Sequence, residues 1–104
     1  MKYSIEWTET AESQLFEDAL YIALNTGDTE EAVSFVDKVR EATGKLDEMP
    51  NRGILPRDVS IRKKGFRALL IGNYAAFYKV YEKEHLVVIE VFASLKEDYI
   101  HLLI

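Results

Sequence analysis

Six basic side chains crowd into one stretch of this sequence: Arg52, Arg57, Arg62, Lys63, Lys64 and Arg67, opposed only by Asp58. Cations at this density suit three roles: contact with phosphates, contact with an acidic partner protein, or plain solvation of a loop. Tyr74, Tyr78 and Tyr81 follow in one apolar run, and Tyr99 stands near the C-terminal end. A tyrosine can stack, hydrogen-bond or move a proton; Tyr78 reads as a core aromatic, with at least one of its neighbours partly exposed. Other chemistry-bearing types are scattered. His85 and His101 are isolated, so no metal site is expected, and no cofactor motif is present. The glycines form no phosphate-cradling loop, and no Ser-His-Asp order stands out. Glu30-Glu31 belongs to a helix start, and Met49 is expected to fill a gap beneath a loop.

The charge is unevenly spread. The chain of 104 residues has a net charge of -5, yet residues 1–50 hold twelve acidic and four basic residues while residues 51–104 hold nine basic and six acidic. Such halves predict a polarised surface. The acidic total argues against tight non-specific binding of nucleic acid, which depends on cationic contacts. Length points to a single domain, 1–104. With no cysteine there is no disulfide framework and no Cys-based zinc site, which fits a reducing cytoplasm. Neither a signal peptide nor a membrane span is expected.

The elements that must position these residues follow from periodicity. Tyr3-Ser4-Ile5-Glu6-Trp7 alternates as a strand with Tyr3, Ile5 and Trp7 inward. Thr8 caps a helix over 9–25, with Ala11, Leu15, Ala19, Ile22 and Ala23 at helical spacing and Gly27 as its stop. Asp28 opens a second helix, and Glu31 gives an acidic variant of the capping box. Ala32, Phe35, Val36, Val39, Thr43 and Leu46 form its buried stripe, and Pro50 limits it. The short turn between the helices predicts an antiparallel helical hairpin. Residues 51–64 read as a loop. Strands follow at about 66–71, 74–81 and 86–94, the first pair joined by Gly72-Asn73. The third is apolar on nearly both sides and reads as a central strand. Residues 95–104 read as a short closing helix. The fold class is α+β in two layers: an N-terminal strand, an α-helical hairpin, a three-stranded antiparallel meander and a short C-terminal helix. The first strand adds at a sheet edge, and the hairpin covers one face. Phe16, Leu20 and Leu24 are spare apolar residues on the hairpin that a homodimer would share.

The order of elements and spaced residues resembles the RelE/ParE toxins of type II toxin–antitoxin (plasmid stabilisation) systems, and the ParE branch more closely. The residues that carry the resemblance are Tyr3 and Trp7, Ala11 and Leu15, Tyr21-Ile22, Ala32, Leu46, Pro50 and Gly53. Gly65-Phe66-Arg67, Tyr74 and Phe77-Tyr78-Lys79-Val80 complete them. The resemblance implies a growth-inhibiting toxin paired with an antitoxin that has a DNA-binding end and a flexible, often acidic end. The residues it offers for antitoxin or target binding are Arg57, Arg62, Lys63, Lys64, Arg67 and Tyr74.

The family also implies two mechanisms. RelE-like members resemble metal-free ribonucleases that cut messenger RNA on the ribosome; ParE-like members resemble inhibitors that bind DNA gyrase. By that resemblance Arg67, Lys96 and Tyr99 fall near RelE catalytic positions. Leu69, Ala75 and Ser94 fall where RelE members carry further basic residues. Losing one preorganised charge of this kind typically costs several kcal/mol of barrier, roughly hundreds-fold in rate. The binding mechanism therefore ranks first, ahead of ribosome-dependent cleavage and of a non-toxic member that only holds its antitoxin.

Overall fold

The computed structural model describes residues 2–104. Strand β1 (Ser4–Trp7) leads into helix α1 (Glu9–Thr26) and helix α2 (Thr29–Gly44), and a 3₁₀ turn (Lys45–Asp47) closes the hairpin. Helix α3 (Val59–Lys63), strands β2 (Arg67–Ile71), β3 (Tyr74–Tyr81) and β4 (Leu86–Ser94), and helix α4 (Ile100–Leu103) complete the order.

Local chemistry sets the boundaries. The Thr8 hydroxyl accepts from the Ala11 amide at 3.0 Å and so caps α1. Gly27, at φ 68°, stops that helix in a conformation other residues rarely adopt. Asp28 caps α2 by accepting from the amides of Glu30 and Glu31. The expected capping box is only half formed, because the Asp28 amide donates to Thr26 Oγ1 at 3.1 Å instead of to Glu31.

The sheet runs β1-β4-β3-β2, with β1 parallel to β4 and the other pairs antiparallel. β4 is thus central and β1 lies at an edge, as the apolar run in β4 and the alternation in β1 require. One irregularity anchors the hairpin. Phe77 pairs with Val91 and Tyr78 with Ile89, so Glu90 is an extra residue in β4. The backbone near this bulge is met by α1: Thr8 Oγ1 donates to the Glu90 carbonyl at 3.0 Å, and the Phe92 amide donates to Gln14 Oε1 at 2.8 Å.

Each sheet face has its own core. Beneath the hairpin, Leu15, Val39 and Leu46 pack on Leu69, Ala76, Tyr78, Ile89 and Phe92. On the other face, Ile61 of α3 and Leu103 of α4 pack with Phe66, Ala68, Ala75, Phe77 and Val91. Three local expectations change. Residues 51–64 are not all loop: Asp58 accepts from the Ile61 amide at 3.1 Å and starts α3, whose burial of Ile61 supplies the stability that so short a helix lacks alone. The closing helix is shorter than 95–104, because the Leu95 amide bonds back to the Asn73 carbonyl at 2.8 Å and prolongs the strand pairing. Met49 fills no gap; it is 55% exposed.

Candidate functional site

Between the 54–58 segment and the C-terminal segment, on the face away from the hairpin, the sheet forms the floor of a groove of about 250 Å³. Ala68, Leu70 and Phe77 make that floor. Ile54, Leu55, Pro56 and Arg57 line one side, and Leu95, Tyr99 and Ile100 the other.

Each wall is held by identifiable contacts. Ile54 and Ala68 exchange two backbone hydrogen bonds of 2.9 Å, adding a short bridge to the outer edge of β2. Just before it, the buried Tyr78 hydroxyl donates to the Pro50 carbonyl and accepts from the Gly53 amide, both at 2.8 Å. Burial holds that phenol above its usual range, against the opposing effects of the Gly53 hydrogen bond and Arg67. Gly53 is required here by space: a Cβ would lie 2.6 Å from Tyr78 Oη and 2.9 Å from the Ala68 carbonyl oxygen. Arg67 Nη1 donates to the carbonyls of Gly53 at 2.9 Å and Asn51 at 3.3 Å. On the second wall Tyr99 stacks on Phe77 with centroids 5.3 Å apart, and Lys64 Nζ donates to the Leu103 carbonyl at 3.3 Å.

The residues singled out in the sequence are partly gathered by this arrangement. Arg57 and Tyr99 line the groove. Arg62, Lys63 and Lys64 are exposed on and just after α3, whose Ile61 also lines it, and Lys96 is exposed in the turn after β4. Arg67 lies elsewhere. Its cross-strand partner is Tyr78, and successive residues of a strand face opposite ways, so Arg67 shares the hairpin face while Phe77 and Tyr99 share the groove face. Tyr74 is also on the hairpin face, stacked on Phe92 at 5.5 Å and tilted against Phe35 at 4.9 Å.

The chain contains the signature of a known family over nearly its whole length: a family model for the ParE toxin of type II toxin–antitoxin systems matches residues 5–99. The protein belongs to the ParE toxin family. Its fold is similar to a structure of the chromosomal ParDE toxin–antitoxin system of P. aeruginosa, with TM-score 0.74 and 20% identity over 89% of this chain and 96% of that one. It is also similar to the RelBE2 toxin–antitoxin complex of Mycobacterium tuberculosis, with TM-score 0.63 and 22% identity over 90% of this chain and 92% of that one. No curated relative matches the chain significantly. Among the described residues no helix is long and apolar enough to cross a membrane.

Sequence reasoning missed two features around this family fold. The groove's apolar lining, Leu55, Leu70, Leu95 and Ile100, had only weak signals, because isolated apolar residues in turns and at strand edges look like ordinary surface. The second is Asp18. Burial, then the carboxylates of Glu97 and Glu17, push its carboxyl from 3.8 up to about 6. It faces a depression between α1 and the C-terminal segment that also contains Gln14, Phe92 and His101.

Proposed function

We propose that this protein is a toxin that acts by binding rather than by cutting RNA, with DNA gyrase as its target, and that a cognate antitoxin neutralises it in the cytoplasm. The observation that carries this reading is the uncharged floor of the groove. Ala68, Leu70, Ala75 and Phe77 are the β2 and β3 residues that make that floor, and none can hold a phosphate. The cation of β3 on the same face, Lys79, is engaged: it lies 3.8 Å from Glu90 and 4.6 Å from the centre of the Phe66 ring. Arg67 is turned to the other face and bonded to two carbonyls. Cleavage needs several preorganised charges around one phosphate, with a proton donor in reach. Lys96 and Tyr99 alone do not make that set.

An apolar floor with Arg57, Arg62 and Lys63 at its border suits a different ligand: an extended chain with apolar anchors and acidic flanks. A flexible antitoxin segment has that chemistry and would order itself on this surface.

The test is inducible expression with and without the small reading frame beside the gene, read by plasmid supercoiling, an SOS reporter and mapping of transcript ends. Gyrase-dependent DNA damage that the neighbour suppresses is expected, with intact ribosome-bound messages. Codon-specific cuts would replace this reading with ribosome-dependent cleavage through Lys96 and Tyr99. Unchanged growth on expression alone would leave only antitoxin binding.

A further inference from the structure

The outer face of the helical hairpin carries a second apolar trough, away from the sheet. Phe16 is 67% exposed, Leu20 47% and Val33 59%. These residues wall a depression of about 350 Å³ between α1 and α2, with Ala19, Ala23 and Ala32 along its base. The small side chains leave the space open, since none reaches far enough to fill it. The trough continues past Phe16 and Val36 to Arg40, which Glu12 grips through two hydrogen bonds of 2.9 and 2.7 Å and which lies 4.6 Å over the Trp7 ring.

The border of this trough is acidic. Residues 9–44 hold nine acidic and two basic residues. Asp37 lines the trough, and Glu30, Asp37 and Glu41 on α2 are exposed, none of them in an ion pair among the described residues. Of the two cations, Arg40 is bound to Glu12, and Lys38 lies on the opposite flank of α2 beside Ile22 and Phe35.

From this we infer that the trough is a docking site for a cationic amphipathic helix of a partner protein. The reasoning excludes the other shapes in turn. Both walls are helices whose backbone groups are already hydrogen-bonded within them, so an extended strand would find nothing to pair with. A helix satisfies its own backbone and needs only a seam for its apolar face. The unpaired carboxylates then select lysine or arginine beside that seam. A symmetric second copy fits less well, because it would bring the same acidic border against itself. This inference stands apart from the toxin reading, which uses the opposite, basic side of the molecule.

A fluorescently labelled peptide of leucine and lysine, about 18 residues in an amphipathic helical pattern, tests it by anisotropy against the whole protein. Two controls accompany it: the same composition scrambled so that no apolar face forms, and a leucine–glutamate counterpart. Saturable binding at least tenfold tighter than the scrambled peptide is expected, with none to the glutamate peptide. Leu20→Asp and the double variant Glu30→Lys/Asp37→Lys should each weaken it at least tenfold with an unchanged circular dichroism spectrum. If Leu20→Asp unfolds, the surface charge reversal decides alone. Equal binding of the scrambled peptide, or indifference to the charge reversal, overturns the inference. So does sedimentation showing a dimer that Leu20→Asp or the charge reversal disperses, since a second copy would then be the occupant.

Discussion

Replacing Tyr78 by phenylalanine removes one oxygen from the centre of the wall that frames the groove. Tyr78 is fully buried and its ring packs beneath the hairpin, so the substitution leaves the hydrophobic contacts in place. What it deletes is a donor to the Pro50 carbonyl and an acceptor for the Gly53 amide, each at 2.8 Å. The Gly53 amide is buried, and stranding such a donor costs about 1–3 kcal/mol. Pro50 is only partly buried, so its carbonyl turns to water at a cost of about 0.5 kcal/mol. The sum, about 2 kcal/mol, is a large share of the ~5–15 kcal/mol that holds a domain of this size together. It should lower the melting temperature by about 10 °C. Urea unfolding measures the loss directly, and amide exchange at Gly53 and Ile54 should accelerate more than exchange in β3 or β4. A loss below about 0.5 kcal/mol would mean that water replaces the hydroxyl, and the reasoning that this node holds the groove wall would fail.

Asp18→Asn tests the buried carboxylate. Because its folded pKa of about 6 lies above 3.8, the fold favours the protonated form, and stability falls as pH rises from about 4 to 6. The carboxyl is only half buried, so the loss is about 1 kcal/mol, less than the ~3 kcal/mol that the full displacement carries. The asparagine variant should exceed the parent by that amount near neutrality and match it near pH 4; a gap constant with pH refutes the assignment. Tyr99→Phe keeps the stack on Phe77, so both stability and growth inhibition should be unchanged; loss of inhibition in a folded variant would point to hydroxyl chemistry. Arg57→Glu with Leu70→Asp, two exposed positions on the groove, should weaken antitoxin binding at least tenfold by calorimetry while leaving the melting temperature within about 3 °C. Arg67→Ala should destabilise the protein by about 1 kcal/mol, because the guanidinium ties two loop carbonyls to the sheet; an unaltered melting temperature would free Arg67 for a role in binding.

Much of the architecture was legible because it is written in short-range patterns. The alternation of Tyr3, Ile5 and Trp7, the alanine and leucine spacing of α1, the caps at Thr8 and Asp28, and the apolar run of β4 each report a local environment. What stayed hidden depends on partners far along the chain. Gly53 marked a loop, but its need for glycine comes from the Tyr78 hydroxyl across the sheet. Arg67 suggested a phosphate or a carboxylate, yet it meets carbonyls of the loop before it. The extra residue at Glu90 is invisible in a β-branched run, and it changes which residues of β4 share a face. Helix α3 has a cap and one buried isoleucine, too little periodicity to separate from loop. The candidate site was therefore half visible: Arg57 and the α3 cations stand out by charge, whereas the apolar floor they border emerges only when the strands pair.

That floor is what the proposed choice of binding over cleavage rests on. A charged floor would have to rise from the side chains at 68, 70, 75 or 77, because those residues of β2 and β3 make the floor, and Lys79 further along the same face is engaged by Glu90. Three of them already serve another purpose. Ala68, Ala75 and Phe77 belong to the cluster that seats Ile61 of α3 and Leu103 of α4, and Ala75 has no exposed surface. An arginine at Ala75 would be an unpaired buried charge in contact with that cluster, at a cost of several kcal/mol. It would also overfill a space sized for a methyl group. In this chain, then, seating α3 and α4 on the sheet and building a phosphate cage on its floor compete for the same positions. The sequence resolves the competition with alanine and phenylalanine and leaves its cations on the border, where solvent reaches them and where they can steer a partner without being buried.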